Sequence, residues 1–403
     1  MERSVLIRDP VHGYITLHEA ESAIVNTRAF QRLRHVRQLG LTDQVFPGAT
    51  HTRFSHSLGV MHLAQRMLER LFAQPSAPGL TAEEQERLIR LMRLAALLHD
   101  VGHPPFSHAL EDLFEPGAGH ESMAREIVLN TELADIIERT GRPWGIGPAE
   151  VTALMAGAPG PGLEFLSTVL SSELDIDKMD YLLRDSLYCG VRYGSFDLER
   201  LLYTAVLLDT PQGPRLGVHE SGIHALDAFV LARYHMFAQV YFNVTSKVLE
   251  LHLKRFFESQ GFRWARSAER FLEQDDVWVH ALLKANAGHP DAQAILFRRH
   301  YPLLYETGET LSREQERRFA RLVGALRDEH PEWPIFVSLA AKDPHRFAES
   351  GILVADDAGS AAEVEQVSSF IAHLKRINQF RIYGPEALAG EVKAFFDRQW
   401  KRG

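Results

Sequence analysis

The stretch Leu94-Ala95-Ala96-Leu97-Leu98-His99-Asp100-Val101-Gly102-His103-Pro104-Pro105-Phe106-Ser107-His108 decides how the chain is read. It opens as an apolar helix and ends in side chains able to hold a metal. His99 and His103 are four residues apart, a spacing that puts both on one helix face, with Asp100 beside them. Gly102 and the Pro104-Pro105 pair then stop the helix, and His108 follows a short irregular segment. Buried helices rarely end in three histidines and an aspartate unless something binds there, so the pattern points to a metal site.

The chain has 403 residues, enough for a large core and a second, smaller unit. Apolar residues make up 45% and charged residues 24%, the balance of an ordinary globular protein. The formal charge of −9 argues against strong nucleic-acid or membrane-surface binding, since both need a positive field. Local Arg/Lys clusters could still bind a small anion. With Cys189 as its single cysteine, the chain can form neither an intramolecular disulfide nor a thiolate zinc site. Its first residues lack the apolar run of a signal peptide, and no stretch approaches the roughly 18 apolar residues of a membrane helix. A soluble, cytoplasmic protein is expected. Half of the 20 histidines lie at or before His120, which favours a site built from the first third.

Outward from the opening stretch, Val5-Leu6-Ile7 and Tyr14 to Leu17 flank Asp9-Pro10 and His12-Gly13, the pattern of a hairpin. Residues 20–38 carry apolar positions at helical spacing (Ile24, Val25, Phe30, Leu33, Val36) together with Arg28, Arg32, Arg34 and Arg37, which suggest a solvated basic face. Arg53 to about Phe72 reads as an amphipathic helix, with Arg53 and His56 three apart and able to face one pocket. Thr81 and Glu84 match a capping box at the start of the helix that leads to His99. After His108 a short helix holds Glu111, and Gly117 to Gly119 leads to His120, which alone would be a surface residue at a helix start. Asp177, Tyr181 and Asp185 form one helical stripe with Lys178 adjacent, either solvated surface or the polar seam of a buried helix. Ile223 to Phe257 reads as a long helix carrying Arg233 and Tyr241 on nearly the same face. Arg215 to His219, Ile352 to Ala355 and Phe380 to Tyr383 read as strands, and Glu386 to Trp400 as a closing helix. The expected fold is mainly α, with a short N-terminal β-hairpin and a small C-terminal α/β appendage. Residues 1–260 would form the core and 261–403 a helical region with a small α/β lobe.

His56, His99, Asp100 and Asp177 are candidate ligands, with His103, His108, His120 and Glu111 nearby. Imidazole and carboxylate donors without thiolate suit Fe, Mn, Zn or Mg in hydrolytic work. An ion so held leaves positions for water and a substrate oxygen, lowers the pKa of that water and clamps a phosphoryl group. Arg53, Lys178 and Arg233 supply the positive charge a polyphosphate needs. Metal-dependent phosphate ester hydrolysis is the chemistry these residues point to, with the substrate left open.

The ordered set His56, His99-Asp100 and Asp177 resembles the signature of the HD superfamily of metal phosphohydrolases. More narrowly, the chain is similar to the HD-domain deoxynucleoside triphosphate triphosphohydrolases, including the vertebrate enzyme that carries a sterile-alpha-motif domain. The similar blocks include Asp9-Pro10-Val11-His12-Gly13, Phe30-Gln31-Arg32-Leu33-Arg34, Gln38-Leu39-Gly40, Phe46-Pro47-Gly48-Ala49 and Arg53 to Gly59. Leu98 to His103, Pro105 to His108 and Asp175 to Tyr181 complete the set, across roughly residues 5–245.

That resemblance implies conversion of a dNTP to deoxynucleoside and inorganic triphosphate by attack at the α-phosphorus. It assigns the metal to His56, His99, Asp100 and Asp177, and the proton for the leaving 5′ oxygen to His108. His103 and His120 would lie along the phosphates, with Glu111 supporting His120, and Arg53, Lys178 and Arg233 would contact phosphate oxygens. Gln38 and Asp185 would read the 3′ hydroxyl, Leu39 and Tyr241 would crowd the 2′ position, and Tyr181 would pack on the sugar. Mg could accompany the phosphates. A homo-oligomer, dimer or tetramer, with an activating nucleotide between subunits is also implied. Gln31 and Arg34 match activator-binding positions, whereas Asn26 replaces an aspartate that pairs with guanine, and Val5 replaces a basic residue. An amide lacks the acceptor-only edge that selects guanine, so a weak or altered activator preference is expected. The alternatives are an HD-domain phosphohydrolase of nucleoside monophosphates or another phosphorylated metabolite, and a catalytically idle nucleotide-sensing protein.

Overall fold

The chain opens with two antiparallel strands, Val5–Asp9 and Gly13–Leu17, as the sequence predicts. Asp9 closes the turn between them, its Oδ1 accepting the backbone N–H of Val11 and His12, each at 2.9 Å. The computed structural model describes residues 4–74, 79–210, 213–341, 351–375 and 377–400.

The helix expected over residues 20–38 is instead broken into Glu19–Val25, Arg28–Arg32 and a 3-10 turn Leu33–His35. Thr27 interrupts it, because its hydroxyl donates to the Ile24 carbonyl (2.7 Å) and accepts from the Phe30 N–H (3.3 Å), capping a new helix. Nor is the basic face uniformly solvated. Arg32 is buried, with its guanidinium on the His103 carbonyl (3.0 Å from both Nη atoms), on the Gln274 carbonyl (2.7 Å) and over the Phe271 ring. Beyond it the chain runs extended beside residues 51–53, with Gln38 N–H on the His51 carbonyl (3.1 Å) and Arg53 N–H on the Val36 carbonyl (3.0 Å).

Helices Arg53–Phe72 and Ala82–Leu98 pack along one another as the mainstay of the body. Val60, Met61, Ala64, Met67 and Leu68 on one, and Leu91, Ala95 and Leu98 on the other, are buried at helical spacing. Each such large apolar side chain contributes about 1.5–3 kcal/mol of transfer free energy. The predicted capping box is present, with Glu84 N–H on Thr81 Oγ1 (3.2 Å) and Thr81 N–H on Glu84 Oε2 (2.7 Å). This helix ends at Leu98 with His99 as its C-cap, so the shared helix face expected for His99 and His103 does not exist. Helix Ile176–Cys189, capped by Asp175, packs against Arg53–Phe72.

The long helix expected over 223–257 is likewise two helices, Ile223–Met236 and Val244–Ser259, joined through a π-helical turn Phe237–Tyr241. Asn243 starts the second by accepting the N–H groups of Thr245 (3.0 Å) and Ser246 (3.3 Å). The core continues through residue 260, where Phe257 stacks on Trp278 and meets Phe262 edge-on and Trp264 at a tilt. Strand Leu353–Ala355 pairs in parallel with Gly213–His219, which pairs antiparallel with Ala205–Thr210. Strand Asn378–Tyr383 instead lies between Leu303–Glu306 and Phe336–Ala341, and helices Arg313–Glu329 and Ala389–Trp400 cover a second core of Phe319, Phe380, Ile382 and Phe396. The mainly helical body with a terminal hairpin and small C-terminal α/β sheets agrees with the sequence reading. Among the described residues, no helix is long and apolar enough to cross a membrane.

His62, half-buried on helix Arg53–Phe72, lies 5.5 Å from the His12 ring, with Arg66 and Arg93 nearby and Asp9 opposing them. Burial first, then His12 and the two arginines, push its pKa down from 6.5 to about 4. Between those values the unfolded chain binds more protons than the folded one, so stability falls as pH drops through the window. Urea denaturation at pH 7 and pH 5 should show a smaller acid loss in His62→Gln than in the parent. An equal loss in both would contradict it.

Candidate metal centre

His56 in the first turn of helix Arg53–Phe72, His99 at the end of Ala82–Leu98 and Asp177 at the start of Ile176–Cys189 bring their ligand atoms within 4.8 Å of one another. His56 Nε2 stands 2.9 Å and His99 Nε2 3.7 Å from Asp177 Oδ1. Asp100 approaches from the turn beyond the helix, 3.3 Å from His99 Nε2 and 3.6 Å from His56 Nε2. Donors on one ion with bonds of about 2.1 Å stand roughly 3 Å apart, so these separations are close to a ligated set. His99 Nε2 is buried and makes no hydrogen bond. A buried nitrogen left so, facing two carboxylates, fits the role of a metal ligand. All-nitrogen-and-oxygen donors suit Fe, Mn, Zn or Mg. The Asp177 side chain is 32% exposed while His56 is 1% exposed, which leaves the site open on the Asp177 side.

The electrostatics agree. Burial disfavours the imidazolium of His56, yet hydrogen bonds with Asp177 and Asp180 outweigh it and raise its pKa to about 10. Burial pushes Asp100 up, but Arg53, His99 and His103 together hold it well below the usual carboxylate range. Cationic charge surrounds these carboxylates, so they stay ionised.

Behind the ligands lies Asp180, fully buried. Its Oδ2 accepts from His56 Nδ1 (2.8 Å) and Arg184 Nε (2.9 Å), and its Oδ1 from His12 Nε2 (2.6 Å) and Arg184 Nη2 (2.8 Å). Arg184 Nη1 continues to Asp9 Oδ2 at 2.7 Å.

On the other side, His103 lies 3.2 Å from Asp100 and stacks on His120 with ring centroids 4.1 Å apart. His120 Nδ1 is hydrogen-bonded to Glu111, which sits in the 3-10 turn Ser107–Leu113. Helix His120–Asn130 comes in against Gly102, where a Cβ would meet the His120 carbonyl oxygen at 2.1 Å and Ala124 N at 2.3 Å. That approach, not helix periodicity, brings His103 and His120 together. Phe106 and Ser107 both adopt positive φ (53° and 50°), costly for non-glycine residues. They are held by Asp276 Oδ1 on the Phe106 N–H (2.9 Å) and by Arg53 Nε on Ser107 Oγ (2.9 Å). The side chain of His108 lies outside the described residues.

Each of the three expected phosphate-binding cations already has a carboxylate partner. Arg53 pairs with Asp100, Arg233 with Glu173, and Lys178 Nζ with Asp175 Oδ2 at 2.6 Å. Helix Ile176–Cys189 proves to be a polar seam, with Asp180 and Asp185 buried. At its far end Asp185 accepts from His51 Nε2 (2.7 Å) and from the Tyr241 hydroxyl (2.7 Å), and Tyr181 lies edge-on to Tyr241 at 6.2 Å. Gln38 joins this end through its backbone bond to His51, its Oε1 buried without a partner, and Leu39 follows it, partly buried. The positions expected to bind an activator make contacts of their own. Gln31 Oε1 accepts from Arg34 Nε (2.9 Å), Arg34 lies over Phe54, and the Asn26 amide donates to the Ser22 carbonyl (2.8 Å).

The sequence reading assigned no role to Asp180, His12, Asp9, Arg184, His51 or Asp276. Asp180 and His12 were visible only as members of the similar blocks, and nothing local marks His51 or Asp276, since their partners are distant in the chain. Gly102→Ala should cost about 1–3 kcal/mol through overpacking, read as a lower urea midpoint, because backbone atoms block the added methyl. Unchanged stability would show that the two segments separate freely.

The HD domain family model matches residues 53–185, the span from Arg53 to Asp185 that holds the ligand set. The chain is 36% identical over 280 residues to the uncharacterized protein YwfO of Bacillus subtilis, covering 68% of this chain and 58% of the relative. It is 27% identical over 387 residues to the deoxynucleoside triphosphate triphosphohydrolase SAMHD1 of Gallus gallus, covering 84% and 62%. The chain thus spans about three-fifths of the length of these two relatives. A solved structure of a hypothetical protein from Aquifex aeolicus is 30% identical, covers 98% of this chain and 100% of that one, and superposes with a TM-score of 0.80. With the ligand set assembled inside the matched span, the chain belongs to the HD-domain superfamily of metal phosphohydrolases.

Proposed function

We propose that this protein hydrolyses deoxynucleoside triphosphates to deoxynucleoside and inorganic triphosphate. The observation that carries the reading is the seam Asp177, Tyr181, Asp185 on one helix, closed at its far end by the Tyr241 hydroxyl. Eight residues at 1.5 Å rise span about 12 Å, the reach from a triphosphate to a sugar hydroxyl. Similarity to the Gallus gallus triphosphohydrolase supports the same substrate class.

His56, His99, Asp100 and Asp177 would hold the ion, which when bound would lower the pKa of a water and place positive charge near a phosphoryl oxygen. The chain does the rest. A water oxygen would bond to the α-phosphorus, giving up a proton to solvent, as the bond from phosphorus to O5′ breaks and His108 delivers a proton to O5′. Glu111, by accepting from His120 Nδ1, leaves Nε2 of that ring to face the phosphates beside His103. Arg53, Lys178 and Arg233 enter the reaction held by Asp100, Asp175 and Glu173, so little side-chain entropy is lost when they also take phosphate oxygens. Asp185 keeps lone pairs beyond those used by His51 and Tyr241 and would accept the 3′ hydroxyl, with Gln38 alongside. Leu39 and Tyr241 would exclude a 2′ hydroxyl, and Tyr181 would pack on the sugar. The active species would be a homo-oligomer with Asn26, Gln31 and Arg34 at a nucleotide site between subunits.

Incubation with Mn(II) and each dNTP, followed by separation of products, should yield deoxynucleoside and triphosphate. Release of orthophosphate, or no turnover of any dNTP, would sink the reading. Asp177→Ala should abolish turnover and metal occupancy with the fold retained, whereas His108→Ala should slow turnover with metal still bound. Added nucleotides should stimulate weakly or with altered base preference, and strict dependence on GTP would contradict the assignment at Asn26.

A further inference from the structure

We infer that Asp180 is the positioning residue of the metal centre, and that the N-terminal hairpin completes this support through His12 and the Asp9–Arg184 pair. The inference rests on the metal-centre reading and adds residues to which no role has been given.

Asp180 accepts from His56 Nδ1 at 2.8 Å. That bond fixes the ring orientation and keeps Nδ1 protonated, so that when the ring gives up a proton it is Nε2, facing Asp177 at 2.9 Å, whose lone pair is offered to an ion. A carboxylate with no exposed surface must fill its remaining lone pairs, and three bonds do so: His12 at 2.6 Å and Arg184 at 2.8 and 2.9 Å. Arg184, also fully buried, is balanced on its other side by Asp9 Oδ2 at 2.7 Å. Asp9 in turn holds the turn that presents His12. The seat is built for this carboxylate. Gly59, one turn beyond His56 on the same helix, would place a Cβ 1.9 Å from Asp180 Oδ1 and 2.4 Å from Arg184 Nη2. Only a residue without a side chain lets the pair lie against the helix that carries the ligand. The hairpin is thereby wired to the metal ligand through His12, the Asp9–Arg184 pair and Asp180, although it supplies no ligand itself.

The test measures Mn(II) affinity of the metal-stripped full chain by electron paramagnetic resonance titration, with circular dichroism and urea denaturation as checks of folding. Asp180→Asn sets an amide donor against a donor and removes the charge. It should weaken Mn(II) binding about 10–100-fold. His12→Gln leaves the Asp180–Arg184 pair intact, should fold in any case, and should weaken binding several-fold. Histidine nitrogen shifts of the Zn(II)-loaded protein supply a readout that a merely structural role would not move: His56 protonated at Nδ1 in the parent, with that signature altered in Asp180→Asn. If Asp180→Asn folds and binds Mn(II) like the parent, the inference fails. If it does not fold, parental affinity in His12→Gln overturns the inference and a loss upholds it. A parent chain that binds no Mn(II) or Zn(II) defeats the metal-centre reading instead.

Discussion

An ionised carboxylate shut away from water has to be surrounded by donors, and at Asp180 that requirement organises the first half of the molecule. Its donors come from three separate elements: His12 from the hairpin, His56 from helix Arg53–Phe72 and Arg184 from its own helix. Each of those elements is amphipathic and would pack somewhere on apolar burial alone, which is non-directional. The carboxylate makes the packing specific, because any other register leaves a charge unpaired at a cost of several kcal/mol. The outcome is a ligand histidine whose ring orientation is fixed before any ion arrives.

Around this anchor the site mixes charge densely. Four imidazoles and three cations share the pocket with the carboxylates of Asp100, Asp175, Asp177, Glu111 and Glu173. Pairing at low dielectric makes each group stiff and keeps the pocket poised between signs. Cations already held by carboxylates are better placed for a polyanionic ligand than flexible surface chains, since most of their ordering entropy has been lost on folding. The same logic accounts for Phe106 and Ser107, whose left-handed backbone is held by Asp276 reaching in from beyond the HD span.

Much of the fold was legible in the sequence because the signals are local. The hairpin follows from Asp9-Pro10 and Gly13, helix Ala82–Leu98 from the Thr81–Glu84 box and its apolar period, and the terminal strands and helix from their periodicity. The two long helices expected from spacing break where a polar side chain captures the backbone, Thr27 in one and Asn243 in the other. Apolar period survives such a break, so spacing alone runs straight through it. The face supposed to join His99 and His103 failed for a related reason: the helix stops at Leu98, and the two rings meet Asp100 by way of a turn.

The sequence by itself determined the donor types, their order along the chain and their placement at the ends or first turns of helices, because residue chemistry and periodicity are properties of short segments. Only the tertiary structure decided which side chains support the donors and which cations already have partners. It also decided that a glycine at 59 and another at 102 are needed for close approach. Those outcomes depend on contacts between residues tens to hundreds of positions apart, such as His12 with Asp180 and Phe106 with Asp276, and no local pattern encodes a distance across the core. The metal motif was legible in the sequence, while the Asp180 network that holds His56 in place appeared only with the fold.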